Sequence, residues 1–147
     1  MAQSWAYVAA GTTASGANPA PGIPAGVQVG DLLVIFGAAS ATSFNATPPT
    51  GWTNLTRQAA GPRLAVWYKT YATGDTAPTL TDADTTCVAV MHAWRNVGGF
   101  DAQGTVTSGS STAPSTASGL VTTKQADDLV ISAYAVVEVQ AARRSET

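Results

Sequence analysis

The chain has 147 residues, 45% of them hydrophobic, which is enough for one domain with a buried core. Only 11% of the residues are charged and the formal net charge is -2, so the charge gives no reason to expect binding to nucleic acid. No apolar run is long enough to span a membrane, the first residues lack the pattern of a signal peptide, and the single cysteine excludes an internal disulfide. A polar surface built mostly from Thr, Ser, Asn and Gln is more typical of extracellular or particle-surface β-proteins than of cytosolic enzymes.

Glycine and proline interrupt the chain often enough to exclude long helices, and the segments between them alternate or run apolar, as strands do. A first strand is predicted at 4–10. A Pro/Gly loop at 17–30 leads to a continuous apolar strand at 31–39, of the kind that is covered on both faces. Further strands are predicted at 52–58, 63–72, 79–81, 86–95 and 126–140.

These seven strand segments, joined by short turns, predict an all-β protein folded as an antiparallel, jelly-roll-like β-sandwich. Residues 1–140 are assigned to this single domain, and residues 141–147 to a polar C-terminal tail. Residues 107–118 are low in complexity, and they form either a flexible loop or an edge segment that lies flat on the domain.

The stretch Pro-Pro-Thr-Gly-Trp at 48–52 predicts a structural corner. Pro48 and Pro49 fix φ and remove two backbone donors, so they cannot lie inside a sheet. Gly51 can take the positive φ of a tight turn, and Trp52 then opens the next strand and closes one end of the fold with its indole. The alternative is that Trp52 is an aromatic platform for a sugar.

Two carboxylates each precede an apolar strand, Asp31 and Asp128. A carboxylate in that place most simply accepts backbone N–H bonds in the preceding turn. A catalytic carboxylate pair is the alternative, but no acid–base partner stands near either residue in the sequence. Nothing in their surroundings predicts an enzyme.

His92 is the only histidine, and it is predicted on the strand face that carries Val88, Val90 and Trp94. Cys87 is an odd number of residues away, so it points to the opposite face and this strand cannot by itself supply a Cys–His pair. The simplest interpretation of His92 is a half-buried strand histidine with its hydrogen bonds satisfied.

Cofactor and metal motifs are missing from the sequence: it contains no GxSxG, P-loop, GxGxxG or HExxH pattern. Asp82 and Asp84 could ligate calcium with backbone carbonyls, but no EF-hand pattern surrounds them. We therefore expect no cofactor and no metal.

The order of the sequence features is informative in itself. IPAGVQVGDLLVIF is followed by PPTGWTNL, then LAVWYKTYATGDTAPTLT, AVMHAWRNVGGFDA and LVTTKQADDLVIS. Over roughly residues 20–135 this order resembles a β-sandwich module found in many tailed-phage structural proteins and prophage-encoded virion proteins. The resemblance implies a jelly-roll-like sandwich in a capsid decoration protein, a head fibre or a tail accessory protein, and it implies no catalytic residues. The chain departs from the pattern in one respect, since further strands of the module would follow the segment that matches DDLVISAYAVV.

On this basis we expect a non-enzymatic bacteriophage virion structural protein, made in the host cytoplasm and located in the virion. The first expectation is a capsid decoration or head-fibre protein whose partners are the major capsid protein or tail subunits, with no contact to nucleic acid or membrane. The alternative is a tail-associated adhesin or glycan-binding module that recognises a host glycan, which an exposed row of Trp and Tyr would favour. A glycan-degrading enzyme would need two opposed carboxylates in a cleft.

The last predicted strand, 126–140, is long and apolar, and only a short polar stretch follows it. We expect it to leave a sheet edge without a neighbour, and few charged residues are present to prevent pairing with another chain. The sequence therefore predicts a homo-oligomer, a trimer or a dimer, or a subunit seated on a capsid lattice. The contact is predicted at 107–118 or at 128–139, beginning with Asp128, Leu129, Val130 and Ile131.

Overall fold

The structure is a computed structural model that describes residues 4–39, 49–55, 63–81, 87–104, 122 and 128–133. Every regular element within these residues is a β-strand, and the strands form one antiparallel sheet. The strands are β1 (Ala6–Ala10), β2 (Ala14–Gly16), β3 (Leu32–Ala39), β4 (Thr53–Asn54), β5 (Arg63–Thr70) and β6 (Cys87–Arg95). Their order across the sheet is β1-β6-β3-β5-β4, and β2 also pairs with β6. The predicted all-β class is therefore confirmed.

The middle of the sheet consists of β6, β3 and β5, and these are the strands with the strongest apolar patterns in the sequence. β3 pairs antiparallel with β5 on one side and with β6 on the other, so that Ile35 lies opposite both Trp67 and Met91. Leu33, Val34 and Ile35 are all buried. The prediction of a central strand is confirmed, whereas Leu32, Phe36 and Ala38 of the same strand are only partly buried.

One face of the sheet carries the hydrophobic core. Successive residues of a strand point to opposite faces, and here the odd-numbered residues of β3, β5 and β6 point inward. The core cluster contains Leu33, Ile35, Ala39, Ala65, Trp67, Leu80, Cys87, Ala89, Met91 and Ala93. We call this side the core face.

The Pro/Gly loop between β2 and β3 covers the core face. Its prolines Pro19, Pro21 and Pro24 are fully buried, because a proline can be buried without hiding an unpaired N–H. The loop is tied down by backbone hydrogen bonds, among them Gly22 N–H to the Thr12 carbonyl (3.0 Å). Gly11 makes this close approach possible, since a Cβ at that position would lie 1.8 Å from the Gly22 carbonyl oxygen.

The opposite side of the sheet, which we call the second face, is also apolar. Its side chains follow from the register of the strands. They are Tyr7 on β1, Leu32, Val34, Phe36 and Ala38 on β3, Leu64, Val66 and Tyr68 on β5, and Val88, Val90, His92 and Trp94 on β6. No acidic residue, lysine or arginine is among these residues of the second face.

Two predicted strands differ from the structure. Residues 79–81 are not a strand. The Leu80 side chain instead packs in the core cluster from a loop. Its N–H donates to the Pro19 carbonyl (2.9 Å) and not to a neighbouring strand. The described part of the predicted strand at 126–140, residues 128–133, is also not in a strand. The apolar residues of this segment lie against the second face, where Ile131 and Ala133 line a cleft, and they do not pair with a strand.

Other predicted boundaries need smaller corrections. The strands predicted at 4–10, 31–39, 63–72 and 86–95 exist, each with ends within two residues of the prediction. The strand predicted at 52–58 is limited to Thr53–Asn54 among the described residues, and the low-complexity stretch at 107–118 lies outside them. β2 was not predicted, because Ala-Ser-Gly has no intrinsic preference for a strand and forms one only by pairing with β6.

Candidate functional site

Four rings meet on the second face, at the end of the sheet where β1 lies beside β6. Tyr7 meets the edge of Trp94 with ring centroids 5.7 Å apart, and His92 stacks on Trp94 at 5.8 Å. Tyr7 and Phe36 each lie against His92, at 5.9 and 5.7 Å. We call Tyr7, Phe36, His92 and Trp94 the aromatic cluster. These separations are typical of aromatic pairs, which prefer edge-to-face and offset arrangements.

Strand register brings the cluster together. Tyr7 and Trp94 are direct cross-strand partners, so their side chains share a face. Phe36 is the partner of Val90 and therefore lies diagonally from His92. The sequence places Trp94 on the face of His92, but the contact with Tyr7 could not be derived from local pattern because β1 and β6 are far apart in sequence.

His92 is a hydrogen-bonded neutral imidazole in this cluster. Burial lowers the pKa of His92 below its ordinary value, so the ring is uncharged at neutral pH. Its Nδ1 and the Tyr7 hydroxyl oxygen lie 3.0 Å apart and share a hydrogen bond. His92 shares its face with Val88, Val90 and Trp94, and Cys87 points into the core on the other side, as predicted. The histidine therefore has a structural partner and no adjacent thiol.

A shallow cleft of about 410 Å³ opens beside the aromatic cluster. Its floor runs along β6 and β3, and the segment 131–133 forms the remaining wall. His92 and Ser132 supply the polar side chains, and the other lining side chains are apolar. The lining residues are Phe36, Gly37, Ala38, Leu64, Val88, Ala89, Val90, His92, Trp94, Ile131, Ser132 and Ala133. A cleft of this composition suits apolar groups of a partner molecule.

Asp31 lies on a different part of the sheet and is committed to a structural role. The Arg95 guanidinium holds its carboxylate in two hydrogen bonds, Nε to Oδ1 (3.0 Å) and Nη2 to Oδ2 (2.9 Å). The Gln28 N–H also donates to Oδ2 (2.8 Å), and the same Nη2 reaches the Gly26 carbonyl (3.0 Å). The hydrogen bond from Arg95, helped by the one from Gln28, lowers the pKa of Asp31 below its ordinary value.

The predicted backbone N–H bond to Asp31 in the preceding turn is confirmed by Gln28. The sequence analysis did not predict that Arg95 is the partner of Asp31. It could have been found by pairing the two longest apolar strands antiparallel, since Asp31 comes just before β3 and Arg95 ends β6.

The described part of the Pro-Pro-Thr-Gly-Trp stretch forms a tight turn against the core face. The Trp52 N–H donates to the Pro49 carbonyl (3.0 Å), and Gly51 has φ 85°, as the third residue of a type II turn requires. The half-buried Trp52 ring packs against the core cluster, with the Lys69 ammonium 5.9 Å from its centroid. Pro48 lies outside the described residues. This turn lies where the sequence predicts a corner, and it puts Trp52 on the opposite side of the sheet from the aromatic cluster.

The predicted subunit contact falls on the segment beside the cleft. Asp128 and Leu129 are partly buried, whereas Val130 is 60% and Ile131 36% exposed. Ile131 belongs to the cleft wall and Val130 stands out of it. This segment therefore presents an apolar surface next to the second face.

Metal ligands do not gather in the part of the chain that the structure describes: no group of three or more His, Cys, Asp or Glu side chains could hold an ion there. Asp82 and Asp84, the alternative calcium ligands, lie outside that part. Among the same described residues, no helix is long and apolar enough to cross a bilayer.

Comparison of the chain with protein-family models, with curated proteins and with solved structures found no match in any of the three.

Proposed function

We propose that this protein is a non-enzymatic structural component of a bacteriophage virion, a capsid decoration or head-fibre protein that contacts the major capsid protein or tail subunits. The observation that carries the proposal is the second face. It is apolar across all the main strands, carries no acidic residue, lysine or arginine on the described strands, and leaves Tyr7 51% and Val88 42% exposed. An uncharged apolar surface of this kind is typical of protein contact sites.

Low charge fits this role. Only 11% of the residues are charged, so long-range electrostatic steering contributes little to association. A virion subunit binds neighbours that assembly brings close to it, and extended apolar contact then supplies the affinity.

Two side chains that could serve in acid–base chemistry, Asp31 and His92, are engaged in bonds within the fold. Asp31 is held by Arg95, and His92 is hydrogen-bonded to Tyr7. These bonds give both side chains a role in holding the fold together, which supports a structural protein.

The proposal extends to the architecture. We propose that a further layer lies over part of the second face, where Val34 and Trp94 are buried, and makes the fold a jelly-roll-like β-sandwich, while the part with Tyr7 and Val88 stays open for contact. Two buried side chains on that face support this, Val34 at 4% and Trp94 at 9% exposure, together with the 131–133 segment lying against it. A single sheet with one covered face would leave its other face solvated and polar. An experimental structure showing one sheet with a bare second face would contradict this part.

Particle composition tests the virion role. Particles of the phage or prophage that encodes the chain would be purified by density gradient, and the chain would be quantified by mass spectrometry against the major capsid protein. We expect a fixed ratio to the capsid protein across the particle peak. The proposal is contradicted if the chain stays with soluble host proteins and is absent from the particle peak. A host cytosolic protein followed through the same gradient controls for contamination.

A further inference from the structure

Two aromatic side chains at one end of the sheet are exposed: Tyr7, which belongs to the aromatic cluster, and Trp5, which precedes it by two residues. Trp5 is 44% and Tyr7 51% exposed, although rings on a sheet usually bury most of their surface. The Asn96 side chain donates to the Ser4 carbonyl (3.2 Å), which keeps this stretch alongside the end of β6. Residues two apart in an extended chain point to the same side and lie roughly 7 Å apart. Trp5 and Tyr7 therefore form one exposed surface, which we call the aromatic strip.

The Tyr7 end of the strip is preorganised. Its ring is held against Trp94 and His92, and its hydroxyl is directed to His92 Nδ1 at 3.0 Å. A ring that is already fixed loses little conformational entropy when a ligand binds to it. The strip thus combines apolar ring faces with polar atoms at their rim.

The surroundings of the strip carry no free charge among the described strand residues. The second-face residues of β1, β3 and β6 are uncharged, and burial keeps His92 neutral. Arg95 is the cross-strand partner of Ala6, but its guanidinium is bound to Asp31 and Gly26. Among the described strand residues, a charged ligand would find no free counter-ion.

We propose that the aromatic strip binds a neutral oligosaccharide. A pyranose ring has an apolar face of C–H bonds that fits an aromatic face, and a rim of hydroxyls that fits the Tyr7 hydroxyl and the His92 imidazole. A purely apolar partner would remove water from these polar atoms without replacing its hydrogen bonds, which costs free energy. Sugar hydroxyls replace them. This function goes beyond the virion role and holds whether or not the chain is part of a particle.

Titration of the purified full chain with defined oligosaccharides tests the site. The probes are maltohexaose, cellohexaose, laminarihexaose and chitohexaose, followed by tryptophan fluorescence and by chemical shifts of the His92 ring. We expect at least one probe to bind, and Trp5→Ala to weaken its affinity at least about tenfold, the effect of losing a central aromatic contact. Trp5→Phe keeps a ring at the position and should retain most of the affinity.

Val29→Ala is the matched control, since Val29 is 67% exposed, belongs to the loop before β3 and has no place in the strip. It should bind as the unmodified chain does. The proposal is overturned if no probe binds, or if Trp5→Ala and Tyr7→Ala both bind as tightly as the unmodified chain while melting at the same temperature. It is also overturned if sedimentation shows the strip buried in a homodimer that Trp5→Ala dissolves, because a second copy is then its occupant.

Discussion

The Asp31 carboxylate and the Arg95 guanidinium form a two-point ion pair that joins the start of β3 to the end of β6. The pair also fixes the loop that covers the core, because Asp31 accepts from Gln28 and Arg95 donates to Gly26. Asp31 is 2% exposed, so its partners replace the water it loses on folding. One contact thus fastens the two central strands and their covering loop.

Asp31→Asn should lower the free energy of unfolding by about 1–3 kcal/mol. The Gln28 N–H and the Arg95 guanidinium would then donate to a neutral amide, which is a weaker acceptor than the carboxylate. The measurement is urea unfolding at pH 7. The pH dependence gives a second readout. The pKa of Asp31 is lower in the folded chain than in the unfolded chain. Its contribution to the free energy of unfolding is therefore complete above the ordinary aspartate pKa, and it is lost as the pH falls through the pKa of the folded state. The difference between the two proteins should therefore shrink below about pH 4. A difference that is the same at every pH would contradict the ion pair.

His92 predicts a second dependence on pH in a higher range. Burial lowers its pKa in the folded state, so between that value and the ordinary value near 6.5 the unfolded chain binds more protons than the folded one. Stability should therefore rise as the pH increases through this window and level off above it. His92→Gln should remove the rise. Titration of the ring by NMR gives the folded pKa directly, and a value above the ordinary one would refute the argument.

Trp67 and Trp52 provide a matched pair of core substitutions. Trp67 on β5 is fully buried in the core cluster, so Trp67→Ala should cost about 3–5 kcal/mol. Trp52 is only half-buried, so Trp52→Ala should cost less than Trp67→Ala does in the same denaturant experiment. If Trp52→Ala keeps its melting temperature and instead loses oligosaccharide binding, the sugar site lies at the corner and not on the aromatic strip.

Gly11 tests the close approach of the covering loop. A methyl group at Gly11 would meet the Gly22 carbonyl at 1.8 Å, and the obstacle is backbone, which cannot rotate away. Gly11→Ala should therefore destabilise the fold by about 1–3 kcal/mol, the usual cost of overpacking. Gly98→Ala is the control, because a Cβ there meets nothing within 4 Å. Equal melting temperatures for the two variants would show that the loop does not lie where the structure puts it.

We expect the exposed side chains of Val130 and Ile131 to lie in a contact between copies of the chain. We expect the isolated chain to sediment as a dimer or trimer at micromolar concentration, and Val130→Asp with Ile131→Asp to shift it to monomer, since a charge in an apolar contact is costly to bury. Val29→Asp, at an exposed position in the loop before β3, should leave the assembly unchanged. A chain that is monomeric in solution and present as isolated copies on the particle would contradict the oligomer.

The long strands could be predicted from the sequence because each contains its own signal. The runs at 31–39, 63–72 and 86–95 alternate or stay apolar over enough residues to exclude a loop, and their ends were placed within two residues. β2 and Leu80 could not be predicted in the same way. Ala14–Gly16 becomes a strand only because β6 lies beside it, and Leu80 reads as a strand residue but fills the core from a loop.

The sequence by itself determined which side chains share a face, because the period of two in a strand needs no partner: it separated Cys87 from His92 and placed His92 with Trp94. It did not determine neighbours, because strand order and register depend on contacts between segments that lie far apart along the chain. Only the tertiary structure brought Arg95 to Asp31 across 64 residues, and Tyr7 to His92 across 85. Strand order and register therefore produce both the Asp31–Arg95 ion pair and the aromatic cluster.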